Sequence, residues 1–129
     1  MVFEQEMYTF FKGRVALHAI LNAAGIGPGD KVLLPGYTCV VVPSAILYRG
    51  AEPVFIDIDP RTFNLDLRAL EAWDLQLPAK NAKALLVQHT YGIPCDMEPI
   101  LDWARERSLL VIEDSCHAIG SRYDGRPVG

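Results

Sequence analysis

Four short apolar runs constrain this chain more than any other feature: "KVLLP" from Lys31, "EPVFIDID" from Glu52, "AKALLVQH" from Ala82 and "LLVIED" from Leu109. They alternate with segments of helical character, the pattern of an α/β protein whose largely parallel sheet is covered on both faces. Gly13 to Ala24 is apolar nearly all round and reads as a buried helix, ending in the turn "GIGPGD". A second apolar helix is expected to start between Thr38 and Val42, because Pro43 is tolerated only near a first turn, and Gly50 closes it. "LRALEAW" predicts a short helix, and "TYGIPCD" a turn around Gly92 and Pro94. Asp96 is expected to cap a helix that carries Met97, Ile100, Leu101, Trp103 and Ala104 at helical spacing.

Open sheets of this kind bind ligands beyond the carboxyl ends of their strands. Asp57, Asp59, His89, Tyr91, Glu113, Asp114 and His117 all fall at or just past those ends. The fourth run is the most loaded, passing from aliphatic residues directly into "EDSCH".

Composition removes several alternatives. The chain has 129 residues, 50% of them hydrophobic, enough for one domain or part of one and too apolar for disorder. A net charge of -4 with scattered Lys and Arg leaves no footprint for nucleic acid. The N-terminal "MVFEQEMYTFFKG" carries acids where a secretory leader would be basic, so a cytoplasmic location is expected. "KVLLPGYTCVVVPSAILYRG" is interrupted by Pro35, Gly36 and Pro43 and makes a poor membrane span. Cys39, Cys95 and Cys116, odd in number and irregular in spacing, suit reduced thiols better than a disulfide framework.

The polar residues admit several chemistries. "GIGPG" follows a helix and precedes a strand, the reverse of a dinucleotide loop. His89, Cys95, Cys116 and His117 have metal-ligand chemistry without the compact paired spacings of structural zinc. Cys116 beside His117 suggests a thiol and its base, but neighbours on an extended stretch would face opposite ways. "KGR" at residues 12 to 14 combines a glycine, a helix start and a cation, a candidate anion site, while His18 one turn later reads as a packed or partly solvated helix residue. Asp114, a carboxylate ending a buried strand, needs hydrogen bonds or a cationic partner, and an ordinary turn role and a functional one stand about even. The closing "YDGRP" reads as a hairpin tip after "IGSR", with the chain cut in mid-domain.

The stretches "GRVALHAILNAAGIGPGDKVLLPGYTC", "GAEPVFIDIDPRTFNLDLRALE" and "HTYGIPCDMEPILDWARERSLLVIEDSCHAIGSRYDGRPVG" resemble, in order and spacing, the first half of the large domain of the DegT/DnrJ/StrS aminotransferases. The resemblance runs from Gly13 to Gly129. It implies a three-layer α/β sandwich of fold type I, with residues 1 to 129 as the N-terminal part of the cofactor-binding large domain and with the small domain absent. It implies the cofactor pyridoxal 5'-phosphate and a ping-pong transfer from an amino-acid donor, glutamate, to a nucleotide-linked keto sugar. A homodimer is implied for the complete protein. Asp114 is similar to the carboxylate that pairs with the pyridine nitrogen, and His117 to the residue beside the ring hydroxyl. Gly13 and Arg14 align with the Gly-Thr whose amides hold the phosphate.

Three departures accompany the resemblance. Arg14 stands where the family usually has Thr, losing a hydroxyl and adding charge. Cys39 falls at or next to the position of an aromatic that stacks on the cofactor ring, with Tyr37 as a possible substitute. The lysine that binds the cofactor covalently is expected beyond Gly129, since Lys12, Lys31, Lys80 and Lys83 match no such position. The chain as given is therefore not expected to transaminate. A same-family sugar dehydratase, with histidine for that lysine, and a non-catalytic remnant or partner subunit are the alternatives.

Overall fold

The computed structural model describes residues 7–76 and 81–129, so Lys80 lies outside the described residues. Four strands form a sheet: β1 (Lys31–Pro35), β2 (Glu52–Ile56), β3 (Ala82–Gln88) and β4 (Leu110–Asp114). Their order is β2-β1-β3-β4 and every pairing is parallel. A two-stranded antiparallel hairpin, β5 (Arg122–Tyr123) and β6 (Arg126–Pro127), follows around Asp124 and Gly125, as the "YDGRP" motif predicts.

Alternation along the strands divides the core in two. Val32 and Leu34 of β1, Ala84 and Leu86 of β3 and Ile112 of β4 pack under helices α1 (Gly13–Ala23) and α2 (Val41–Tyr48). Leu33, Leu85 and Val87 face the other way, against α3 (Leu67–Gln76) and α4 (Met97–Glu106). The result is the three-layer sandwich expected: β1 and β3 are buried between helical layers, while the edge strands β2 and β4 are covered only in part, with Phe55 and Leu110 exposed. "EPVFIDID" leaves the sheet after Ile56, because Ile58 turns to bridge Leu65 in antiparallel fashion.

Three local expectations are corrected. Helix α1 is not buried all round: only Leu17 and Leu21 are buried, while Val15 and Ile20 are exposed, Ile20 lining a cleft. A helix in an outer layer covers the sheet with one stripe, whatever its composition. Asp96 precedes α4 but makes no side-chain cap; its carboxylate instead accepts the Tyr123 hydroxyl, which draws the hairpin onto the start of α4. Cys116 and His117 do not lie on an extended stretch, since β4 ends at Asp114 and the Ala118 N–H closes a turn onto Ser115 O at 2.8 Å.

Candidate functional site

A cleft of about 390 Å³ opens between the start of α1, the start of α2 and the end of β4. Gly13, Arg14, Cys39, Asp114 and His117 all line it. They come from three separate parts of the chain, brought together because the parallel strands deliver their carboxyl ends to one edge. The floor is apolar, built by Leu17, Val42, Leu86 and Ile112 from the same core layer.

One wall is the N-terminus of α1. The Val15 and Ala16 N–H groups bond Lys12 O, which leaves those of Gly13 and Arg14 without an intrahelical partner; among the described residues no side chain caps the helix, and no acidic residue occupies its first turn. Lys12 and Arg14 add positive charge beside these donors. A Cβ on Gly13 would meet only Cys116 Sγ, at 3.7 Å, so the protein's own packing does not demand glycine there. Lys12 lines the cleft together with the rest of the "KGR" motif. Its ammonium lies 5.3 Å from the centre of the Phe11 ring. Lys31 lies elsewhere, 3.9 Å from Glu52 at the opposite end of the sheet.

The facing wall is the turn after β4. Asp114 is half-buried, and its Oδ1 accepts the Cys116 N–H at 3.0 Å, the local turn role that the sequence leaves open. Among the described residues it makes no ion pair. A further hydrogen bond to Asp114, with burial added, pushes the Cys116 thiol up to about 11, which argues against a ready nucleophile. Ser115 Oγ is buried and has no hydrogen-bond partner among the described residues. His117 is exposed, its ring parallel to that of Tyr91.

Gln88, the last residue of β3, also lines the cleft. It lies two residues beyond Leu86, so strand alternation alone places it on this face. Its amide is fixed on both sides: Oε1 accepts the Thr38 hydroxyl at 2.6 Å and Nε2 donates to Thr90 Oγ1 at 3.1 Å.

Of the other residues at the strand ends Glu113 also lines the cleft, while Asp57, Asp59, His89 and Tyr91 stay out of it. His89 is fully buried on the opposite face, where Nδ1 accepts the Cys95 N–H at 3.0 Å. That bond leaves the proton on Nε2, 2.6 Å from Glu113 Oε1. Cys95 is buried, its Sγ donating to Gln88 O, and burial pushes its thiol up to about 12. Asp59 is taken by Arg61, whose hydrogen bonds hold its carboxyl down at about 2. Tyr37 does not line the cleft; its hydroxyl pairs with that of Tyr91 and its ring packs 5.2 Å from Phe63. Cys39 stands at the cleft without an aromatic substitute from Tyr37.

No helix among the described residues is long and apolar enough to cross a membrane. Over 117 residues the chain is 49% identical to GDP-perosamine synthase of Caulobacter vibrioides, covering 91% of this chain and 30% of that protein. It is 44% identical to the pleiotropic regulatory protein of Geobacillus stearothermophilus, covering the same shares of the two chains. Among solved structures it superposes on DesV of S. venezuelae, determined in complex with a ketimine intermediate, with a TM-score of 0.83. That pair is 35% identical over 91% of this chain and 30% of DesV. NtdA of Bacillus subtilis, solved with bound PMP, is similar at a TM-score of 0.76 and 35% identity, covering 84% of this chain and 24% of its own. The chain thus spans less than a third of the length of these relatives. The sequence pattern defining the DegT/DnrJ/EryC1/StrS aminotransferase family matches residues 4–129, and the chain belongs to that family.

Proposed function

We propose that this chain is the N-terminal part of the large domain of a sugar aminotransferase that uses pyridoxal 5'-phosphate. The observation that carries the proposal is the single cleft shared by Gly13, Arg14, Cys39, Asp114 and His117. Its volume falls in the range of small-ligand sites, roughly 300–1,000 Å³. Its two walls also differ in sign, with free helix donors and cations on one and a carboxylate on the other.

The residues present fit such a cofactor in its noncovalent contacts. The amides of Gly13 and Arg14 would take the phosphate, with the Arg14 guanidinium replacing the family's hydroxyl by charge. Asp114 would hold a proton on the pyridine nitrogen, and His117 would contact the ring hydroxyl. When bound, the cofactor supplies an electron sink for moving an amino group. Asp114 on the acidic wall would keep that nitrogen cationic, Lys12 and Arg14 on the basic wall would neutralise the phosphate, and the apolar floor would exclude water from the ring. The lysine that completes the site is assigned to sequence beyond Gly129.

The whole enzyme is read as a cytoplasmic homodimer that moves an amino group from glutamate to a nucleotide-linked keto sugar. Similarity to GDP-perosamine synthase supports a sugar acceptor. The test is made on the full-length protein, with pyridoxal phosphate absorbance and amino transfer as readouts. Asp114→Ala should abolish turnover. A histidine at the downstream lysine position would redirect the reading to a dehydratase. Absence of any cofactor binding by the wild type would overturn it.

A further inference from the structure

The Thr90–Gly92 turn lies beside the cleft without lining it, and its backbone is costly. Tyr91 has φ 55°, in the left-handed region that a bulky side chain rarely enters. Its ring is 61% exposed, so core burial does not offset that strain. Glycine would occupy the position more cheaply, which leaves the ring itself as the reason for tyrosine.

The ring is held from two directions. It lies nearly parallel to the His117 imidazole, at an interplanar angle of 7° with centroids 6.3 Å apart. Its hydroxyl pairs with that of Tyr37, and the Phe63 ring meets it edge-on at 5.8 Å. The backbone beneath is fastened to the same turn that carries His117. The Ser121 hydroxyl donates to Gly92 O at 2.8 Å. A Cβ on Gly92 would come within 3.3 Å of His117 O, so the two turns approach too closely for a side chain there. The Thr90 N–H is anchored from behind by Asn64 Oδ1 at 2.8 Å.

We propose that Tyr91 is a positioning residue: its ring, braced by Tyr37 and Phe63, fixes the plane of His117 at the cleft wall. The hydrogen bond that the Tyr91 hydroxyl donates to Tyr37 raises the Tyr91 phenol above its usual pKa, so the brace stays neutral across the working range. The consequence for the cofactor rests on the role given to His117 above. A fixed imidazole meets the ring hydroxyl without first losing rotamer freedom.

The experiment uses full-length protein carrying 13C-labelled histidine, with the His117 resonance assigned by its loss in His117→Asn. In the apo-protein, Tyr91→Ala should move that resonance by removing the ring current, while Tyr91→Phe should leave it near its wild-type position. Tyr91→Leu serves if the alanine variant does not fold. Pyridoxal phosphate titration should then show a roughly 2- to 10-fold weaker Kd for Tyr91→Ala than for Tyr91→Phe, the range expected for one aromatic pair. An unmoved His117 resonance in both Tyr91→Ala and Tyr91→Leu overturns the proposal, as does unchanged cofactor affinity with only a loss of thermal stability. If the wild type binds no pyridoxal phosphate, the aminotransferase reading falls, while the resonance shift still decides whether Tyr91 positions His117.

Discussion

Asp114 carries two duties at once, and they pull on its neighbour. Its carboxylate accepts the Cys116 N–H and also holds the Cys116 thiol up at about 11. A thiol with that pKa is almost wholly protonated at pH 8, and each unit by which its pKa falls raises the reactive thiolate about tenfold. Asp114→Asn removes the negative charge and the charged acceptor, so Cys116 should alkylate at least about tenfold faster with iodoacetamide at pH 8. Mass spectrometry of the three cysteines reads this directly. Buried Cys95, raised to about 12 by desolvation, should remain unlabelled in the folded protein. At this scale the sequence carried the motif residues well, because "EDSCH" and "KGR" sit at a strand end and a helix start. Which side chains of these motifs rim the cleft was not legible, since that depends on how two turns face each other. Gln88 was within reach of simple strand alternation from Leu86.

Three helices end in the same way, and only two of the endings are visible as sequence. In α1 the Ile26 N–H reaches Leu21 O and the Gly25 N–H reaches Asn22 O; in α2 the Ala51 N–H reaches Ile46 O and the Gly50 N–H reaches Leu47 O. In α4 the Leu109 N–H reaches Ala104 O and the Ser108 N–H reaches Arg105 O. Each is a Schellman closure, with its left-handed residue at φ 70° for Gly25, 75° for Gly50 and 55° for Ser108. The pairs Leu21 with Ile26, Ile46 with Ala51 and Ala104 with Leu109 are buried in one core layer each, so every closure also seats an apolar contact. Glycine announces the first two, but nothing in the residue type at 108 does, because hydrogen bonds and packing impose the conformation on serine. Two opposite effects follow. Gly50→Ala should destabilise by about 1–2 kcal/mol from backbone strain, and the new Cβ would press within 3.0 Å of Pro28. Ser108→Gly should stabilise, by up to about 1 kcal/mol after the flexibility glycine adds to the unfolded chain. Denaturant unfolding of full-length protein carrying each variant checks both signs.

At the scale of the molecule, the sheet has two open edges among the described residues, β2 and β4, and both are parallel strands. Parallel sheets are stable where helices cover their faces and neighbours satisfy their edges. The central strands β1 and β3 are covered on both faces, which is why four apolar runs and their crossovers were enough to read the architecture from sequence. The outer surface was less legible, because an apolar helix in an outer layer looks the same in sequence as one buried on all sides. Val15 and Ile20 of α1 and Leu47 and Tyr48 of α2 are exposed, Ile20 at the cleft, although α1 reads from its composition as a buried helix. A surface of that kind on the same body as two unpaired edges favours association over a soluble monomer. Residues 1–129 expressed alone should therefore self-associate while keeping a mixed α/β circular dichroism spectrum, with sedimentation velocity reporting species larger than 14.3 kDa. The full-length protein should show a defined assembly instead, since further strands at an edge and partner surfaces over α1 and α2 would take up the same groups. A monomeric 1–129 with one cooperative unfolding transition would mean that the four strands and their helices form a self-sufficient unit, and the reading of this chain as part of a larger domain would fail with it.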